Sequence, residues 1–209
     1  ELFARYALVV ATLGLTSTFN LGLPQAVTRA LSRAHNFSPR RQTLWATSSL
    51  LFVLTGLLGG TVATIVCYYL HLPYAVLPTI FLLALMSNLV AHYATLPQAE
   101  GHFGYYNAKT FIVGTANTLL AAYLAWKGEG ISTILSSQLL CYLITLFVLA
   151  YFSLKFFPRP WEGKSSPSVA KSLGGFGLKN QAGTLVGQIQ AQYAKYLLVS
   201  VSPLALSGY

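Results

Sequence analysis

A polar stripe runs along the last part of the chain. Gln181, Thr184, Gln188, Gln192 and Lys195 are separated by steps of three or four residues, which places them on one side of a helix. Leu185, Ile189, Tyr196, Leu197 and Val199 hold the opposite positions. Glutamine amides offer both donors and acceptors to a polar ligand, and Lys195 adds a cation for an anion. The stripe is therefore expected to line something wet. The competing reading is a helix lying on a membrane surface, with Lys179 and Lys195 among the headgroups. The apolar run from Tyr196 to Val201, directly after Lys195, argues against it. A second set stands near the start, where Gln25, Arg29 and Arg33 recur every four residues after an interruption that begins at Asn20. One helix face would carry them. Asn20, Gln25, Arg29, Gln181, Gln188, Gln192 and Lys195 are expected to face one cavity, with Arg33 and Lys179 at its cytoplasmic mouth. For both arginines, snorkelling to headgroups is the competing reading.

The missing residue types exclude as much. There is no Asp, and the four acids are Glu1, Glu100, Glu129 and Glu162. A Ser-His-Asp triad, an aspartate dyad and an EF-hand loop are thus excluded from this chain. Cys67 and Cys141 each sit in an apolar run, which points to packing rather than metal binding. Asn88 and His92 are four apart on one expected helix, and Asn117 and Gln138 stand singly in others. Such residues inside apolar helices more often bond a neighbouring helix than a ligand.

Long apolar helices must position these groups. The 209 residues are 55% hydrophobic and 8% charged, whereas soluble domains carry roughly 25% charged residues. That composition predicts a membrane protein. About 20 apolar residues cross a bilayer as a helix, and six stretches are expected to do so: Tyr6 through Phe19 and on to Leu31, Leu44–Leu70, Tyr74–Leu96, Tyr105–Trp126, Ile131–Phe157 and Phe176–Val201. Pro24 predicts a kink or break in the first. Gly114, Gly59 and Gly60 are expected to admit close neighbours. Short joints at His71-Leu72-Pro73, Gly101 to Gly104 and Lys127 to Gly130 separate the middle stretches. A longer segment rich in Pro, Ser, Gly and Lys, 158–175, reads as a linker between two domains, 1–157 and 176–209.

Net charge is +9, with 13 Lys and Arg. Arg29, Arg33, Arg40, Arg41, Lys109, Lys155, Arg159, Lys164, Lys171 and Lys179 all fall on one side if the helices alternate. The positive-inside rule makes that side cytoplasmic. The charge is thereby absorbed by topology, and no nucleic-acid partner is expected.

Two phrases carry a resemblance. Leu2-Phe3-Ala4-Arg5-Tyr6-Ala7-Leu8-Val9, followed by Asn20-Leu21-Gly22-Leu23-Pro24-Gln25-Ala26-Val27-Thr28-Arg29, looks like the second transmembrane helix of bacterial oligosaccharide (O-antigen) flippases, a family of the MATE-like exporter superfamily. Gly175-Phe176-Gly177-Leu178, the polar helix and Ser202-Pro203-Leu204-Ala205-Leu206-Ser207-Gly208-Tyr209 look like the seventh helix and the loop after it. The resemblance implies an all-α polytopic bundle of two six-helix lobes, of which this chain would be helices two to seven of a longer protein. It implies a transporter, not an enzyme. The protein would flip a polyprenyl-pyrophosphate-linked oligosaccharide across the bacterial inner membrane by alternating access. Its partners would be that lipid-linked glycan, membrane lipids and other polysaccharide-assembly proteins. No cofactor is implied, and coupling to Na⁺ or H⁺ is left open. A cation-coupled drug exporter is the alternative, disfavoured because no carboxylate lies within an expected span. A membrane glycosyltransferase or polymerase is disfavoured by the short outer loops.

Overall fold

The computed structural model describes residues 2–34, 38–157, 163–181 and 193, and every regular element among them is helical. Helix α1 (Leu2–Thr16) runs into a 3-10 turn at Ser17–Asn20. Helices α2 (Leu23–Arg33) and α3 (Pro39–Tyr69) follow. A second 3-10 turn, Tyr74–Val76, leads into α4 (Leu77–Ala99). Then come α5 (Phe103–Thr110), a π-helical segment at Phe111–Ala116, α6 (Asn117–Trp126) and α7 (Ile131–Ser153). Residues 167–181 form the last described helix, α8.

Among the described residues three helices are long and apolar enough to cross a membrane: Pro39–Tyr69, Tyr74–Ala99 and Ile131–Ser153, with mean hydropathies of 2.2, 1.9 and 2.0. At 1.5 Å per residue each exceeds a hydrocarbon core of about 30 Å. The other expected spans differ for local reasons. The first is two helices, because the backbone turns left-handed at Leu21 (φ 48) and Gly22 (φ 66). Gly22 is the N-cap of α2, and Pro24 occupies its first turn, where a missing N–H costs nothing. The expected span Tyr105–Trp126 is divided by the π segment. Beside it the Thr118 hydroxyl donates back to the Gly114 carbonyl at 2.8 Å, a bond that competes with regular helix geometry. Gly114, expected to admit a neighbour, has nothing within 4 Å of where a Cβ would stand. Of the expected span Phe176–Val201, only residues 176–181 and 193 are described. Its helix begins earlier, at residue 167, inside the stretch read as linker.

Helix α4 packs between α3 and α7. Gly60 and Gly56 let α3 approach it: a Cβ on Gly60 would lie 2.9 Å from the Phe81 ring, and one on Gly56 2.9 Å from Leu85 Cδ1. The core divides by end. At one end Val9, Ala63, Cys67, Ile80 and Leu135 pack from α1, α3, α4 and α7. There the Gln138 amide donates to the Tyr6 hydroxyl, so Gln138 bridges α7 to α1. At the other end, where the cations gather, Trp45 stacks on Phe157 at 4.8 Å and 7° and lies 4.1 Å from the His92 ring. Arg41 pairs with Glu100 there, its side chain 3% exposed and that of Glu100 14%. Both Phe156 and Phe157 lie within 6 Å of the Arg41 guanidinium carbon, at 5.9 and 5.6 Å.

The polar residues inside this bundle bond both across helices and within their own. The Ser49 hydroxyl donates to the Trp45 carbonyl at 2.9 Å. Its oxygen is then left to accept from His92 Nε2–H, also at 2.9 Å, which ties α4 to α3. The Asn88 amide donates to Ala84 O at 3.0 Å, within its own helix rather than across to a neighbour.

Candidate functional site

Two helices begin at the basic end with the same pair of residues, Ser-Pro. Ser38 caps α3, its hydroxyl accepting from the Arg41 N–H at 3.2 Å, with Pro39 as the first helical residue. Ser166 precedes α8, its carbonyl accepting from the Ala170 N–H at 2.9 Å, with Pro167 first in the helix. A serine cap followed by proline satisfies the free donors of a first turn and presets its backbone. The two starts are fastened together. The Ser166 N–H donates to Thr47 Oγ1 of α3 at 3.0 Å. At Gly163 a Cβ would stand 2.6 Å from the Gln42 carbonyl, so the chain entering α8 lies against the first turns of α3.

Helix α2 ends at the same level, with Arg33 in its last turn. Between α2, the start of α3 and α8 lies a cleft of about 610 Å³. Its polar lining is Arg29, Arg33, Arg40, Ser168 and Ser172. Among the described residues no carboxylate lines it. All three arginines are exposed. Two helix N-termini, those of α3 and α8, contribute Arg40 and Ser168 and bring partial positive charge to the same space. The electrostatics are thus one-signed, and the arrangement can hold an anion.

The inner end of the cleft closes where α8 touches the break between α1 and α2. A Cβ at Gly22 would come 3.0 Å from the Gly177 carbonyl carbon, and one at Gly177 3.1 Å from the carbonyl carbon of Gly22. Only two glycines allow this approach, and Gly22 also carries φ 66. Two turns along α2, the Arg29 guanidinium stands over the Phe176 ring, 4.6 Å from its centroid.

Arg29 and Arg33 are therefore brought together as the four-residue spacing predicts. Gln25 is exposed on α2 and outside the cleft lining. Asn20 lies at the break, against α3 and α4, and its buried Oδ1 has no hydrogen-bond partner among the described residues. Gln181 is 8% exposed and Lys179 exposed on α8, and neither lines the cleft. Gln188, Gln192 and Lys195 lie outside the described residues. Arg40, Ser168, Ser172 and Phe176 were not legible as site residues. The signal for them was Ser166-Pro167, which starts a helix, and the four-residue steps 168, 172, 176, which place the last three on one face. Among the described residues no group of three His, Cys or Glu could hold a metal. Compared with protein-family models, curated proteins and solved structures, the chain matches none.

Proposed function

We propose that the chain is part of a membrane transporter, not an enzyme, that moves a polyprenyl-pyrophosphate-linked oligosaccharide across the cytoplasmic membrane. In this reading six segments cross the bilayer. Two further ones join the three long apolar helices: the broken pair α1 and α2, and the interrupted run from α5 to α6. The helix continuing from α8 would be the sixth and would open a second lobe. The basic end faces the cytoplasm.

One observation carries the proposal. Helix α8, which begins within the stretch read as linker, is seated on the break in the first segment, around a cleft lined by three arginines and, among the described residues, by no carboxylate. A charged headgroup cannot cross hydrocarbon unaided. Cations at a lobe boundary, continued by Gln188, Gln192 and Lys195, would give a pyrophosphate and its sugars a polar path. The exporter alternative needs a free carboxylate within a span; Glu100, at the end of α4, is engaged by Arg41, and Glu129 lies in the joint between α6 and α7.

The test is surface glycan display in cells making the full-length protein. A charge-assisted contact is worth roughly 1.5–3 kcal/mol, on the order of 10- to 100-fold in binding. Arg29→Ala and Lys195→Ala are each expected to reduce display by about that factor at unchanged protein level. Normal display in both variants would remove these residues from the transport path.

A further inference from the structure

The cleft is graded in depth. Three helices reach the basic end here; α3 and α8 are polar at that end and apolar further in, while α2 carries Arg33 near its end and keeps a second cation, Arg29, one turn deeper beside Phe176. Helix α2 presents Arg33 near its end and Ala26 two turns deeper. Helix α3 presents Arg40 in its first turn and Leu44 one turn on. Helix α8 presents Ser168 in its first turn, then Ser172, then Leu173 and Phe176. From Ser168 to Phe176 is roughly 12 Å along a helix axis at 1.5 Å per residue.

The same gradient belongs to a phospholipid standing in a leaflet, phosphate outward and glycerol and chains inward. Arg40 sits at the level where the long apolar run of α3 begins, which is headgroup level for that helix. The volume, about 610 Å³, falls within the 300–1,000 Å³ of ordinary ligand sites. A soluble anion would use the arginines and leave the half-buried Val169 and Phe176 in contact with water. An amphiphile with a phosphate head uses both halves.

We infer that the cleft is a binding site for an anionic phospholipid of the leaflet at the basic end. Its phosphate would sit among Arg33, Arg40 and Ser168, and its glycerol and chain ends would point toward Leu173 and Phe176. Such a lipid would staple α2, α3 and α8 together at the linker. The inference does not rest on the transport reading and would hold for a membrane protein of another activity. It assigns to Arg33 and Arg40 a ligand that stays, where Arg29 faces one that passes.

The experiment uses the full-length protein, purified in a neutral detergent, with phosphatidylglycerol added and thermal unfolding recorded. Phosphatidylglycerol is expected to raise the melting temperature at lower concentration than phosphatidylcholine. Each arginine near a membrane surface contributes about 1 kcal/mol toward an anionic lipid, so Arg33→Gln with Arg40→Gln should weaken the apparent affinity roughly 30-fold. Both side chains are exposed, so the variant is expected to fold, and Arg33→Lys with Arg40→Lys should keep most of the response. Equal stabilisation by the two lipids would overturn the inference. So would an unchanged response in the glutamine variant. Stabilisation by inorganic pyrophosphate at the same concentration as phosphatidylglycerol would assign the cleft to a soluble anion and overturn the lipid.

Discussion

Arg40 and Arg41 are neighbours in the chain and lie in opposite settings. Arg41 enters the seam between α3, α4 and the end of α7, where Glu100 neutralises it and Phe156 and Phe157 flank it. Arg40 faces the cleft beside Arg29 and Arg33, exposed, with no carboxylate among the described lining residues. A charge removed from water needs a partner, and Glu100 supplies one for Arg41. Where the protein leaves three like charges around a space, the folded chain gains nothing from their proximity and a ligand gains everything. The seam is structure, and the cleft is a site. Three measurements can break that distinction.

The largest effect belongs to the seam. Removing one partner of a buried pair leaves the other uncompensated and costs about 3–5 kcal/mol. Arg41→Leu and Glu100→Leu are each expected to lower stability by that much in a denaturation experiment on the protein in detergent. The double variant Arg41→Leu with Glu100→Leu should recover most of it, because two apolar side chains in a buried seam need no charge. Arg40→Leu should stay within about 0.5 kcal/mol of the parent, as exposed substitutions do. A cost for Arg40→Leu equal to that for Arg41→Leu would make the cleft arginines structural and erase the contrast.

The next effect lies at the floor of the cleft. A Cβ on Gly177 has nowhere to go, since the opposing atoms are backbone of Leu21 and Gly22. Overpacking of this kind costs roughly 1–3 kcal/mol. Gly174 and Gly175 lie on the same helix with nothing within 4 Å of a Cβ. Alanine there should be neutral or stabilise by about 0.5–1 kcal/mol, the ordinary helical advantage over glycine. Melting temperatures of the three single alanine variants separate the cases. Equal behaviour at all three positions would mean that α8 is not held on the break.

The sequence made some of this plain and concealed the rest for physical reasons. Helices α3, α4 and α7 were legible because each is a long apolar run bounded by Pro or Gly. The break after Asn20 was legible because Pro24 cannot continue a regular helix. The pairing of Arg29 with Arg33 followed from a four-residue step. The start of α8 was hidden because Ser, Pro and Lys also make linkers, and composition outweighed the Ser-Pro cap. The meeting of Gly22 with Gly177 was not legible, because spacing within a helix says nothing about which distant helix comes to rest on it. Nor could a run of arginines reveal that Arg41, and not Arg40, would find Glu100. The polar stripe that continues to Lys195 lies beyond the residues described, so its expected role stands on spacing alone.

The smallest effect is the most diagnostic. Arg29 rests on the Phe176 ring. An exposed cation over an aromatic face gains about 0.5–1 kcal/mol. A phosphate offers the same guanidinium two charge-assisted hydrogen bonds, roughly twice as strong as neutral ones. The ring can therefore hold Arg29 in place without competing against a ligand, which the carboxylate beside Arg41 could not do. A double-mutant cycle with Arg29→Gln and Phe176→Leu should give a stability coupling of about 0.5–1 kcal/mol. Added phosphatidylglycerol or pyrophosphate should shrink that coupling if the anion draws Arg29 off the ring. A coupling of several kcal/mol, unmoved by either anion, would make the contact of Arg29 with Phe176 a second seam like that of Arg41 with Glu100. The cleft would then have lost its inner cation to structure, leaving Arg33 and Arg40 as the exposed charges of its described lining.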